Sequence, residues 1–239
     1  MPAGTARAVT HPSTASIARR PRWIAVAALV LTVPAVVAVV MVSRGSAAGP
    51  WERTFEATDG PHVVVAALPG ADLTALRSVP GLTAASGPFP VVDTSLRYRG
   101  REIGVRLEGR SDQATAVDHP LLVFGEWARR GMIVLERSTA RALGVPTGGD
   151  VSVATTRGRV GLTLSGIAET AAPSRSSGTA RGLGYVVPGT LSEVAPHSTY
   201  GSTMLLRLAD PESAGKYADW IRQRYPGGQA AVAEPSPSR

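Results

Sequence analysis

No cysteine occurs among the 239 residues, which excludes disulfides, thiol catalysis and zinc–thiolate centres. Lysine is almost as scarce, with Lys216 the single lysine among 25 basic residues. Walker A, Schiff-base and Ser–Lys schemes therefore have one residue on which to stand. Of the four histidines (His11, His62, His119 and His197), no two have the i,i+4 spacing of a helical metal pair. Acidic residues are missing from residues 1–44, a stretch that carries Arg7, Arg19, Arg20, Arg22 and Arg44. Most of the net charge of +7 sits there, and the rest of the chain is close to balance. A nucleic-acid-binding face would need a basic stripe in the folded part. None is visible, so nucleic acid is not expected as a partner.

One long apolar run is present. Trp23–Val42 is interrupted only by Thr32 and Pro34. In a helix, at about 1.5 Å per residue, it reaches roughly 30 Å, the thickness of a bilayer's hydrocarbon core. A helix there satisfies its own backbone, so a transmembrane helix is expected. Arg19, Arg20 and Arg22 just before it place the N-terminus in the cytoplasm and residues from about 44 onward outside. A cleaved signal peptide is the alternative, because Ser46-Ala47-Ala48 offers small residues for cleavage after Ala48. The run exceeds the roughly 7–15 residues usual for a signal core, which favours retention as an anchor. Both readings put the soluble part outside the cytoplasm.

The expected fold class is α+β. Residues 1–22 form a cytoplasmic basic tail, 23–42 the membrane helix, 43–51 a linker and 235–239 a disordered tail. Residues 52–98 and 198–234 form two β-α-β halves of one sandwich, with a β-rich insert over 99–197. The first half runs from strand His62–Leu68 into a short helix, Ala71–Val79, and an extended Leu82–Ala85. The second runs from strand Thr203–Leu208 into a helix over Pro211–Tyr225 and an extended Gln229–Ala233. Asp210 can cap that helix, Pro211 suits its first position, and Ala214, Tyr217, Ala218, Ile221 and Tyr225 share a face. In the insert, Leu96 and Tyr98 face Ile103, Val105 and Leu107 across the turn Arg99-Gly100. Val151 and Val153 face Val160, Leu162 and Leu164 across Thr156–Arg159. Between the hairpins come a strand, Met132–Leu135, and a helix over Arg137–Leu143, ended by Gly144 and Pro146. Ala171–Arg181 reads as a Ser/Gly-rich loop, and Gly182–Val187 as a further strand.

Chemistry-bearing patterns are few. Asp118-His119 precedes Pro120 in a loop, where a turn with solvated side chains is expected. Ser213-Ala214-Gly215-Lys216 opens the amphipathic helix and is explained by a solvated face. Gly144–Asp150 is glycine-rich, but it follows a helix and lacks the lysine of a phosphate loop. Glu126, Trp127, Arg129 and Arg130 suit a β-turn rim or a polar contact surface. No Gly-x-Ser-x-Gly elbow occurs. No catalytic, cofactor-binding or metal-binding residue is assigned, and an enzyme is not expected.

The order of elements resembles the extracytoplasmic domain of FtsX/MacB-type ABC transporter permeases. Gly125-Glu126-Trp127 is similar to that family's Gly-x-aromatic step, and Ile133–Glu136 followed by Ala140–Val145 to its strand, short helix and Leu-Gly-Val. Gly149–Val153 is similar to its Gly-Asp step into a strand, and Leu164–Ala168 to the Val-x-Gly-Ile strand that closes the hairpin. The resemblance covers about residues 20–234. It implies a porter-like β-α-β pair with a strand-rich second subdomain, in a cell membrane protein that does no chemistry. The implied partners are a cytoplasmic ABC ATPase, an extracytoplasmic substrate or protein, and the lipid bilayer. The family carries further membrane helices, so a fragment of a longer permease is expected. The alternative is a stand-alone single-pass module that recruits an extracytoplasmic partner.

Expressed alone, the chain should partition with membranes and resist carbonate extraction. Soluble protein beginning between Ala47 and Gly49 would instead identify residues 1–48 as a cleaved signal.

Overall fold

The computed structural model divides the chain into two units, residues 1–48 and 49–239. It describes residues 49–172, 182–224 and 228–232. The expected membrane helix at 23–42, and most of the expected loop at 171–181, lie outside the described residues. Among the described residues no helix is long and apolar enough to cross a membrane.

Among the described residues of 49–239 the fold is mixed α/β, with one ten-stranded sheet and four α-helices. In chain order these are α1 (Pro50–Ala57), β1 (Val63–Ala67), β2 (Leu82–Tyr98), β3 (Arg101–Gly109), β4 (Leu121–Gly125), β5 (Met132–Glu136) and α2 (Arg137–Leu143). Then follow β6 (Asp150–Thr155), β7 (Gly158–Glu169), β8 (Gly182–Val186), α3 (Pro188–Val194), β9 (Gly201–Leu208), α4 (Ala214–Arg224) and β10 (Gly228–Val232).

Strands β10, β1, β9 and β2 lie side by side and antiparallel. Val63, Val65, Met204 and Leu206 are buried in one cluster with Leu73 and Leu76 from the β1–β2 connection and Ala214, Ala218 and Ile221 of α4. The α4 residues are four and three apart, the spacing that stacks side chains on one helical stripe. Asp210 caps the 3₁₀ turn Pro211–Ser213 that leads into α4, accepting the Glu212 amide at 3.1 Å. The two chain-distant halves thus share one core.

The strands of the middle region close on themselves. β2 pairs with β3, β3 with β8, β8 with β5, β5 with β7, β7 with β6, and β6 again with β2. Leu96, Val105, Leu107, Ile133, Leu135, Val151, Val153, Leu162 and Leu164 belong to the buried cluster that this ring of strands encloses. They recur every second residue, as the inward face of a barrel requires. Ala140 and Leu143 of α2, and Leu191 and Val194 of α3, add to the same cluster.

Several local expectations are met. The β2–β3 hairpin turns through Arg99 and Gly100, both with positive φ (46° and 81°) and with Tyr98 opposite Arg101, the geometry of a tight two-residue loop. Helix α2 has the expected bounds. Glu136 caps it by accepting the Ser138 amide at 3.0 Å, and Gly144 ends it with φ 72°.

Other expectations are corrected. Pro50 and Trp51, assigned to the linker, open α1: proline is tolerated at the first helical position, and Glu52 favours the positive helix start. The helix expected over Ala71–Val79 is a single 3₁₀ stretch, Thr74–Ser78. Leu82–Ala85 is only the beginning of the 17-residue β2. Leu164 leaves β6, whose pairing stops at Asp150–Thr163, and pairs with Ile133 of β5. Strand β4 and helix α3 are additional to the expected elements.

Leu164 and Leu206 lie in the two separate clusters at 0% and 1% exposure. Leu164→Ala and Leu206→Ala should each lower the unfolding free energy by about 2–5 kcal/mol in urea titrations, because a buried leucine leaves a cavity.

Candidate functional site

Where β3 ends, three ionisable side chains are buried together. Glu108 and Arg110 are each 3% exposed and Asp118 is fully buried. Arg110 Nε donates to Glu108 Oε1 at 2.6 Å, and its Nη2 to Asp118 Oδ2 at 3.2 Å. Its guanidinium lies 4.2 Å from the Phe89 ring centre and 5.4 Å from that of Tyr185. Asp118 Oδ1 also accepts from the Thr170 hydroxyl, and from the Ala172 amide at 3.3 Å. The Asp118 amide donates to the Asp59 carbonyl at 3.0 Å. One residue, Asp118, therefore ties together the connection after α1 through its amide, and the loop after β3 and the end of β7 through its carboxylate.

The electrostatics follow from burial. Loss of hydration raises the Glu108 pKa, and the neighbouring Arg110 charge offsets this only in part. Burial alone would lower the Arg110 pKa, but Glu108, Tyr185 and Asp118 outweigh it and the pKa rises. Burial also raises the Tyr185 pKa well above its ordinary value. The cation is held between two carboxylates and two aromatic faces, an arrangement that fastens these segments to one another.

This overturns the expectation of solvated side chains at Asp118-His119. Asp118 is fully buried at φ 49° because Arg110 supplies its counter-charge. His119 remains partly exposed, 3.9 Å from the Asp59 carboxylate. Elsewhere, His62 Nδ1 accepts from the Leu208 amide at 2.9 Å, and His197 meets Tyr200 edge-on. Ser213 Oγ donates to the Asp210 carbonyl at 2.6 Å, and Lys216 is exposed. In the Gly144–Asp150 segment, the Gly144, Gly148 and Gly149 amides are bonded to Ala140, Leu164 and Pro146 carbonyls. Glu126, Arg129 and Arg130 are exposed, whereas Trp127 stacks on Tyr185 at 5.6 Å. Among the described residues, no three of His, Asp and Glu gather as a metal site would need.

Two open grooves mark the surface. One, of about 870 Å³, lies between Ala67–Pro69, the Asp93–Arg106 ion pair (2.9 Å) and Thr155-Thr156. The other, of about 730 Å³, is bounded by Arg99, Val123, Phe124, Arg137, Arg141 and Ile167.

The segments that carry the family resemblance meet around β7. The Glu126 amide donates to the Ser165 carbonyl at 3.0 Å. A Cβ on Gly125 would lie 2.1 Å from that same oxygen, and one on Gly166 2.6 Å from the Glu126 carbonyl. Only glycine allows so close a backbone approach. The Leu164 amide donates to the Gly149 carbonyl at 2.9 Å, and the Gly148 amide to Leu164 O at 2.8 Å.

No family model and no curated protein sequence matches the chain. Among solved structures it is similar to the periplasmic region of MacB from Actinobacillus actinomycetemcomitans, with a TM-score of 0.41 and 11% identity over 73% of this chain and 90% of that one. It is also similar to the extracellular domain of the noncanonic ABC-type transporter YknZ from Gram-positive bacteria, with a TM-score of 0.39 and 13% identity over 71% and 99%.

Arg110→Met should cost about 3–5 kcal/mol at neutral pH, because it leaves two buried carboxylates without a counter-charge. The cost should shrink as pH falls through the raised Glu108 pKa, where protonation removes that carboxylate's charge. Glu108→Gln should cost less, since Arg110 keeps Asp118. The raised Glu108 pKa contributes stability below its ordinary value of 4.5, and that contribution is lost as pH rises through the folded value. Any advantage of wild type over Glu108→Gln should therefore diminish from pH 4 to pH 7 in urea titrations.

Proposed function

We propose that residues 49–239 are the non-catalytic extracytoplasmic module of an FtsX/MacB-type ABC transporter permease. In this reading the module is hung on the membrane by residues 23–42 and moved by a cytoplasmic ATPase to serve export or an extracytoplasmic partner. Residues 52–98 with 198–234 are the porter-like part, and 99–197 the inserted one.

One observation carries this reading. Val63 at the start of β1 is paired with Val232 at the end of β10. The first strand thus begins beside the end of the last described one, an arrangement that suits a domain set into a loop between two membrane segments. A displacement of one such segment would act on the edge strand β10 and on β1 beside it together. The close packing of the four resemblance segments around β7 adds support, since it makes them parts of one contact rather than scattered matches. The enclosed ionic cluster supports a mechanical role.

Alkaline phosphatase, active only outside the cytoplasm, should be active when fused after Gly60, and β-galactosidase inactive at the same position. Cross-linking the full chain in its native membrane should recover an ATP-hydrolysing subunit. Outside topology with an ATP-independent extracytoplasmic partner and no ATPase would favour the single-pass recruiting module instead. Activity of β-galactosidase after Gly60 would sink both readings.

A further inference from the structure

Strand β4 ends the sheet and, among the described residues, pairs only with β7. Its sequence, Leu121-Leu122-Val123-Phe124-Gly125, holds no charge, and Leu122, Val123 and Phe124 are 39%, 42% and 64% exposed. Natural edge strands are usually guarded by lysine, inward charges or a covering element. Here the register shift between Leu122 and Phe124 leaves Val123 without a partner on β7, and both Val123 and Phe124 line the 730 Å³ groove. Tyr98, Ala140, Val145 and Ile167 add apolar lining.

The charge at this groove has one sign. Arg99, Arg137 and Arg141 line it, and no acidic residue does. Arg137 is held by Glu169 at 3.0 Å. Arg99 lies over the Tyr98 ring at 5.2 Å. Among the described residues, neither Arg99 nor Arg141 has a carboxylate within salt-bridge distance. Two unneutralised cations beside apolar walls and an open strand edge define what can fill the space. The ligand must be extended, so that its backbone can bond the edge, with apolar side chains toward Phe124 and carboxylates toward the arginines. Five residues of β4 offer about 17 Å of edge, enough for a partner strand of the same length.

We propose that this groove is a docking site for an extended, acidic-apolar segment of a partner protein, which adds to β4 as an eleventh strand. Backbone bonds would supply much of the affinity and the side-chain pockets the selectivity, as in other cases of strand addition. The proposal does not rest on the permease reading, since it follows from the edge, the lining and the charge alone.

The full chain in lipid nanodiscs should be titrated with a fluorescein-labelled, blocked heptapeptide alternating glutamate and valine, and with its lysine–valine counterpart. The acidic peptide should bind saturably and at least tenfold more tightly, and should slow amide exchange within Leu121–Gly125. Arg99→Glu with Arg141→Glu, and separately Phe124→Ser, should each weaken it tenfold or more. All these side chains are exposed, so unchanged melting curves serve as the control for folding. Equal affinity for the two peptides, absence of binding, or binding without protection of β4 would overturn the proposal. Self-association that Phe124→Ser abolishes, with no peptide binding, would assign the edge to a second copy. Arginine-dependent attachment to phosphatidylglycerol vesicles without β4 protection would assign the groove to lipid, and both outcomes overturn it.

Discussion

Strand β2 pairs with β9 over its first half and with β3 and β6 over its second. Its pairing, with register shifts between Leu82 and Ala84 and between Ser86 and Phe89, therefore runs from one hydrophobic cluster into the other. Leu82 and Ala85 pack against the α4-covered cluster, whereas Val92 and Leu96 belong to the barrel. A paired strand resists bending out of its pleat, because each displaced residue would leave unbonded amides and carbonyls. Two cores built from separate stretches of chain are thereby coupled through one backbone. The grooves on the surface, the adjacency of β1 and β10, and the free edge of β4 are all consequences of where this strand carries the sheet.

The ionic cluster at Glu108, Arg110 and Asp118 solves a different problem. Eleven residues, 110–120, connect β3 to β4 without regular structure, and such a connection needs anchors. Burying a guanidinium with two carboxylates gains little net stability, since desolvation opposes attraction. It does select one arrangement of the loop, because any other leaves a charge unpaired in an apolar setting. That selection also decides how β4 is delivered to the side of β7, with its outer edge left free. The fastening and the open edge are thus two ends of the same connection.

Much of the local structure was legible. Period-two alternation in Leu96–Leu107 and Val151–Leu162 is a physical requirement of strands with one buried face. The Arg99-Gly100 turn and the Gly144 helix end follow from left-handed conformations that few residues adopt. Helix α4 was legible from its apolar stripe, while Asp210 and Pro211 signalled the 3₁₀ turn that leads into it. Leu121–Phe124 offered an apolar run, and Pro188 a helix start, yet both stood among turn residues that masked them. The candidate site was less legible. Asp118-His119-Pro120 has the composition of a solvated turn, and nothing local says that Arg110, eight residues earlier, will bury it.

Sequence alone determined the properties that depend on neighbouring residues: the apolar run at Trp23–Val42, the absence of thiol chemistry, the two alternating hairpins with their turns, and helix α2. These are set by side-chain spacing and backbone preference within about ten residues. Tertiary structure decided what depends on distant partners. It closed the barrel by bringing β6 to β2, set Val63 against Val232, and gathered Gly125, Gly149 and Ser165 around β7. It also brought Arg99 and Arg141 to the groove that Val123 and Phe124 of β4 line. Burial and pairing are properties of the whole packed sheet, and no short window of sequence contains them.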